Sequence, residues 1–203
     1  MTEREKMLAG LLYNCGDGEL LARWHQAKDL TRAYAQLPSQ DLEGKRRILE
    51  ELLGGFGNGL WITPPFYVDY GENIYFGDNC EVNGNCTFQD DNVIRIGRNA
   101  LIGPNVQIYT AFHPTQAAQR FGPPLPDGSF AFCRTQSAPV TVGDNVWIGG
   151  GRHPATRGHR WGRRGHRSGK RGHPGYSKPY RGLRQPLPPR PGQSLSFPEI
   201  HKK

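Results

Sequence analysis

Residues 1–151 contain two histidines, His25 and His113, and an imidazole is the side chain best suited to exchanging protons near neutral pH. His25 follows Trp24 in an apolar-periodic run, where a surface or interhelical histidine is the ordinary reading. His113 lies in T-A-F-H-P, where a regular pattern is interrupted and a loop must leave it. The polar side chains that could work beside it are Asp17, Asp69 in V-D-Y-G, Asn83 in C-E-V-N-G-N and Asp91 in Q-D-D-N. On type alone, each of these equally suits a turn or a cap. An imidazole that takes the proton of an attacking hydroxyl contributes roughly 10²–10⁴ in rate. The four cysteines (Cys15, Cys80, Cys86, Cys133) form no C-x-x-C pair and no other metal spacing, so no metal site is expected.

Two kinds of element must hold these groups. Residues 2–56 read as helical: Thr2 with Glu5 forms a capping-box pattern ahead of Met7, Leu8, Leu11 and Leu12. A second run carries Leu20, Leu21, Trp24, Ala27, Leu30 and Tyr34 and is stopped by Pro38. A third, with Leu42, Ile48, Leu49, Leu52 and Leu53, closes at Gly54-Gly55. From Tyr67 onward short apolar steps are separated by Gly, Asn and Asp. In I-R-I-G-R-N-A-L-I-G-P-N-V-Q-I, Ile96, Ile102 and Ile108 recur every six residues. Val142 and Ile148 repeat the step, and Phe76, Val82 and Phe88 form an earlier register offset by two residues near Asp90-Asp91. A period of six suits neither a helix nor an alternating hairpin. It predicts a coil of very short strands, each sending one side chain inward, with Gly and Asn in turns of positive φ.

Composition breaks after Gly151. Residues 152–203 carry a net charge of +13 and residues 1–151 a net of −5, so the overall +8 describes neither part. The later segment has five Ile, Leu, Val, Phe or Met residues among its 52 and eight prolines. It is too poor in apolar surface to offset its ordering entropy and is expected to be disordered. No apolar run approaches a bilayer span, and the charged start MTEREKMLAG lacks the centre of a signal peptide, so a cytoplasmic chain with reduced thiols is expected.

The stretches P-P-F-Y-V-D-Y-G-E-N-I-Y-F-G, D-D-N-V-I-R-I-G, Y-T-A-F-H-P and V-T-V-G-D-N-V-W-I-G-G-G, in that order, resemble the hexapeptide-repeat sugar O-acetyltransferases of the maltose, galactoside and nodulation type. The resemblance covers residues 2–151. It implies a mainly β protein, with a left-handed parallel β-helix over 58–151 behind a small helical domain over 1–57. It also implies a homotrimer with sites between subunits, and acetyl-CoA as donor to a sugar or other small hydroxyl acceptor. His113 stands at the family's catalytic base. Asp69, Asn83 and Asp91 match positions lining the acceptor pocket, and Asn83 also approaches the donor. Trp147 and Gly150 stand where the pantetheine arm begins its run. Asp17 is a weaker acceptor candidate, because the family's acid there aligns more naturally with Cys15. Residues 114–139 form an excursion that would cover a neighbour's pocket, with Arg120 and Arg134 read mainly as solvated. Other readings with the same motifs are an acceptor that is an antibiotic or amino acid, or an inactive remnant with a basic tail.

The family would continue past Gly151 with further coils. A Gly-His pair coded GGN-CAY, read one base later before a C-initial codon, gives Val, Ala, Asp or Gly followed by Ile or Thr. With permitted wobble bases, residues 152–173 re-read as V-I-L-P-P-G-V-T-V-G-D-G-A-V-I-G-A-G-S-V-V-T, which looks like that continuation. The sequence-level expectation is a frameshift near codon 151, and with it weak acetyl transfer and poor solubility. The alternative is a genuine Arg/Gly-rich tail, the one part of the chain suited to nucleic acid or an anionic surface.

Overall fold

The structure is a computed structural model that describes residues 1–121 and 134–151 and the backbone of residues 160–161. The chain opens with α1 (Glu3–Leu8), β1 (Tyr13–Asn14), α2 (Gly18–Gln36) and α3 (Leu42–Leu52). Each helix starts at the cap its sequence supplies. Thr2 and Glu5 complete the expected box, Asp17 accepts from the amides of Glu19 and Leu20, and Asp41 accepts from that of Gly44.

Short strands follow: β2 (Gly55–Phe56), β3 (Trp61–Ile62), β4 (Phe66–Val68), β5 (Ile74–Phe76), β6 (Glu81–Val82), β7 (Cys86–Gln89), β8 (Ile94–Ile96), β9 (Leu101–Ile102) and β10 (Gln107–Tyr109). Next come β11 (Ala111–Phe112), α4 (Ala117–Phe121), β12 (Arg134–Ser137), β13 (Val140–Val142), β14 (Trp147–Ile148) and β15 (Arg160–Trp161). Parallel ladders join β2, β5, β8, β13 and β15, then β3, β6, β9 and β14, then β4, β7 and β10. From β2 through β7 each coil residue pairs with the one twenty positions on: Phe56 with Phe76, Ile62 with Val82, Val68 with Phe88, and Phe76 with Ile96. The steps inside one turn are therefore six, six and eight residues, as in Phe76, Val82, Phe88 and Ile96. The two-residue offset seen in the sequence is thus a recurring longer corner, met after β4 and again after β7.

Inward side chains stack by type along each ladder. Ile74, Ile94 and Val140 form one column, and Val82, Ile102 and Ile148 another, all within a single buried cluster. A coil of one strand per side could not bury such residues alone; stacking makes the core continuous. The six-residue corners turn on Asn79, Asn85, Asn99, Asn105 and Asn145, all with φ between 55° and 60°. Their amides also stack: Asn79 donates to Asn99, Asn99 to Asn145 and Asn85 to Asn105. Asn tolerates this left-handed backbone better than other side chains.

The helical region packs on the coil. Ala27, Tyr34, Leu49, Leu52 and Leu53 belong to the coil's own cluster, and the Tyr34 hydroxyl donates to the Ile62 carbonyl at 2.7 Å. A second cluster joins Met7, Tyr13, Leu20 and Tyr70. Beyond the long corner, β1, β12 and β11 make an antiparallel ribbon in that order, with Asn14 opposite Arg134 and Phe112 opposite Gln136. Arg160–Trp161 pairs in parallel with Thr141–Val142; the rest of the segment expected to be disordered, 152–159 and 162–203, lies outside the described residues. Among the described residues no helix is long and apolar enough to cross a membrane.

Candidate active site

The eight-residue corners and the ribbon converge on a cavity of about 400 Å³. On the coil side it is lined by Asp69 and Tyr70 after β4, Gln89 at the end of β7 and Asp91 just after it, and Ala111 and His113 beyond β10. The helical region contributes Cys15, Leu21, Trp24 and His25, and β12 contributes Thr135. Three of the sequence candidates, Asp69, Asp91 and His113, are thereby brought to one place from three successive turns.

His113 is exposed, and its Nδ1 lies 3.1 Å from the Arg134 carbonyl. A carbonyl can only accept, so Nδ1 carries the proton in the neutral ring and Nε2 keeps its lone pair. Thr135 Oγ1 stands 3.3 Å from the same Nδ1. Both partners come from β12, the strand that the ribbon ties to β11 just before His113.

Asp91 is 7 % exposed. Its Oδ1 accepts the Tyr13 hydroxyl at 2.5 Å, while its buried Oδ2 has no hydrogen-bond partner among the described residues. Burial pushes its carboxyl up to about 6; Asp69 adds to the rise, and the Tyr13 hydroxyl and His113 oppose it. Burial also raises the phenols of Tyr13 and Tyr70 well above the ordinary tyrosine range. A buried carboxylate oxygen left without a donor costs free energy unless something that enters the cavity supplies one.

Asp69 is held rather than left open. Its Oδ1 accepts from Trp24 Nε1 at 3.2 Å and pairs with Lys28 Nζ at 3.1 Å, and that ammonium stands 4.5 Å from the centre of the Trp24 ring. Lys28 also donates to the Val68 carbonyl. The corner that presents Asp69 is stapled from below by buried Asp90, which accepts from the amides of Asp69, Tyr70 and Asn73 at 2.9, 2.8 and 3.3 Å.

The other sequence candidates stand apart from the cavity. Asp17 is the N-cap of α2 with its carboxylate spent on two amides, and Cys15 lines the cavity instead. The cap signature D-G-E-L accounts for that acid locally. Asn83 donates to Glu81 Oε1 at 3.3 Å on the turn after β6. Trp147 projects outward from β14, 55 % exposed. Gly150 is in close backbone contact, since a Cβ there would meet the Pro104 carbonyl at 2.8 Å. Arg120 donates to the Pro114 carbonyl, and much of the excursion, 122–133, lies outside the described residues. Among the described residues no group of three or more His, Cys, Asp or Glu could hold a metal.

Sequence reasoning missed Tyr13, Trp24, Thr135 and Gln89 as site residues and read His25 as remote from chemistry. Gln89 was within reach of the pattern, as the residue entering a long corner. Tyr13 was not, because its partner is 78 residues away.

The chain is similar to known proteins over this same architecture. The maltose acetyltransferase hexapeptide capping motif matches residues 6–57. Nodulation protein L of Rhizobium meliloti is 40 % identical over 150 residues, which are 74 % of this chain and 76 % of that one. The crystal structure of a maltose O-acetyltransferase from Clostridium difficile 630 superposes with a TM-score of 0.69 at 39 % identity, covering 76 % of this chain and 78 % of that one. A galactoside acetyltransferase in complex with coenzyme A gives 0.67 at 30 % identity, covering 76 % and 72 %. With its capping motif, its six-residue steps and these relatives, the chain belongs to the maltose/galactoside O-acetyltransferase family of hexapeptide-repeat acyltransferases.

Proposed function

We propose that this acyltransferase uses acetyl-CoA to acetylate a hydroxyl of a sugar, with His113 as general base. The observation that carries the reading is the His113 Nδ1 contact to the Arg134 carbonyl, which leaves Nε2 as a base at a cavity of about 400 Å³. The acceptor hydroxyl gives its proton to Nε2 as its oxygen bonds the thioester carbon. Backbone N–H groups stabilise the oxyanion, the C–S bond breaks, and the imidazolium returns the proton to the leaving thiolate. No covalent enzyme intermediate is formed. Asp91 Oδ2, lacking a donor, receives a second hydroxyl of the acceptor, and Asp69 braces the rim through Trp24.

The coil is left-handed, and the chain works as a cytoplasmic homotrimer with the donor between subunits. Trp61, Glu81, Leu101 and Trp147 stand in register on the outer face of one ladder, and the three large apolar residues of this row, each about half exposed, support a neighbouring subunit there. Asn83, Trp147 and Gly150 contact the donor from that face. The domain limits remain 1–57 for the helices and 58–151 for the coil, and residues 152–203 are a frameshifted segment. The expected rate for the 203-residue chain is low, because that segment is poor in the apolar residues that further turns require.

The test is release of coenzyme A thiol by the purified full chain with acetyl-CoA and maltose, galactosides, serine or chloramphenicol. Thiol release that depends on a sugar and is lost in His113→Ala supports the reading. Release with a non-sugar acceptor alone overturns the sugar assignment, and no acceptor-dependent release overturns acetyl transfer by this chain.

A further inference from the structure

Asp91 is held in one orientation by a residue 78 positions away in the sequence, Tyr13. Tyr13 is 1 % exposed and is among the largest fully buried side chains of the protein. Its ring belongs to the small cluster with Met7, Leu20 and Tyr70, and its hydroxyl reaches Asp91 Oδ1. Its backbone is the first strand of the ribbon, opposite Thr135, the residue whose hydroxyl meets His113. The next ribbon pair, Asn14 and Arg134, carries the carbonyl that sets the His113 tautomer. Asn92, directly after Asp91, ties the same corner to α1 through the Met7 and Leu8 carbonyls and Ser137 Oγ.

We infer that Tyr13 is a positioning residue for acetyl transfer: its hydroxyl locks one oxygen of Asp91 so that the other is presented to the acceptor beside His113. This rests on the proposed roles of Asp91 and His113. The lock also favours the ionised carboxylate, since a phenol that donates to Asp91 opposes the rise that burial and Asp69 impose. The groups facing Asp91 are Tyr13 from β1, Asp69 and Tyr70 from the corner after β4, and His113 across the cavity. Cys15 borders the same space, while Asp90 turns its carboxylate to backbone amides.

The experiment is a double-mutant cycle in the full chain with Tyr13→Phe, Asp91→Asn and both, following acetylation of maltose and of methyl β-galactoside across pH. Tyr13→Phe is expected to lower kcat/KM for the acceptor about tenfold or more. It should leave KM for acetyl-CoA in place and move the acid limb of kcat/KM to higher pH. In the Asp91→Asn background the same change should add no further loss and shift no limb. Equal losses in both backgrounds, or an unmoved limb in the single variant, overturn the proposal. If Tyr13→Phe alone fails to fold, recovery of a folded protein in the double variant supports the lock, and failure of both overturns it. If the wild-type chain transfers no acetyl group, the acetyl-transfer reading fails by itself. The cycle is then read in the affinity for the two sugars by calorimetry, where additive effects or absence of sugar binding overturn the lock.

Discussion

One wall of the cavity is coil and the other is helix, and the two are held in different ways. Asp69, Gln89 and Asp91 stand at corners whose position is repeated every turn, so each is fixed by the ladders above and below it. Leu21, Trp24 and His25 stand on α2, whose placement depends on one buried stripe (Leu20, Ala27 and Tyr34) and a few cross-links such as Trp24 to Asp69. A repeated wall resists change through many equivalent contacts. A unique wall depends on single ones, and the difference teaches where a substitution will be felt as lost chemistry and where as lost stability.

The largest effect should come from the end of the repeated wall. His113→Ala is expected to lower kcat by roughly 10²–10⁴ with an unchanged thermal midpoint, measured by thiol release and calorimetry. A parallel fall in the midpoint would make His113 a structural residue. Next, Ile102→Ala and Leu20→Ala remove comparable buried side chains from the two regions, within a range of about 2–5 kcal/mol. Ile102 should cost more, because Val82 and Ile148, stacked on either side of it in the same column, cannot close over the gap. Equal costs in urea titration would erase the distinction between the walls.

A smaller effect follows from the carboxyl of Asp91, raised to about 6 by burial. Its folded value lies above the unfolded one. It therefore stabilises the fold fully below about pH 4 and loses that contribution as pH rises through about 6. Asp91→Asn should flatten the decline in stability between about pH 4 and 6 by on the order of 2 kcal/mol, while lowering kcat/KM. An unaltered decline would show that Asp91 ionises freely. The smallest effect belongs to the helical wall: Asp17→Ala should cost about 1 kcal/mol through the lost cap and leave the acceptor KM unchanged. A raised KM would give Asp17 a role at the acceptor site as well as at the cap.

Much of the repeated wall was legible in the sequence. Ile96, Ile102 and Ile108 announce one inward residue per strand, and the offset at Asp90-Asp91 marks the corner where the cavity lies. The Asn turns were legible because positive φ leaves few residue choices. His113, Asp69 and Asp91 were found through the resemblance, since a lone loop histidine or a turn aspartate carries no period. The unique wall was opaque for a physical reason. The contacts of Tyr13 with Asp91 and of Trp24 with Asp69 span 78 and 45 residues and leave no local spacing to read. Asp17 shows the opposite case: its cap pattern, D-G-E-L, was complete in the local sequence, and the fold uses it as the N-cap of α2.

The eight-residue corner has a consequence for how such a protein diversifies. Between β10 and β13 the chain leaves at that same corner for some thirty residues, yet Val142 returns beside Ile96 and Ile148 beside Ile102. Length added at this one vertex is invisible to the other two faces. Evolution, or an engineer, can rewrite what the enzyme grips by splicing new loops there, while the scaffold winds on undisturbed.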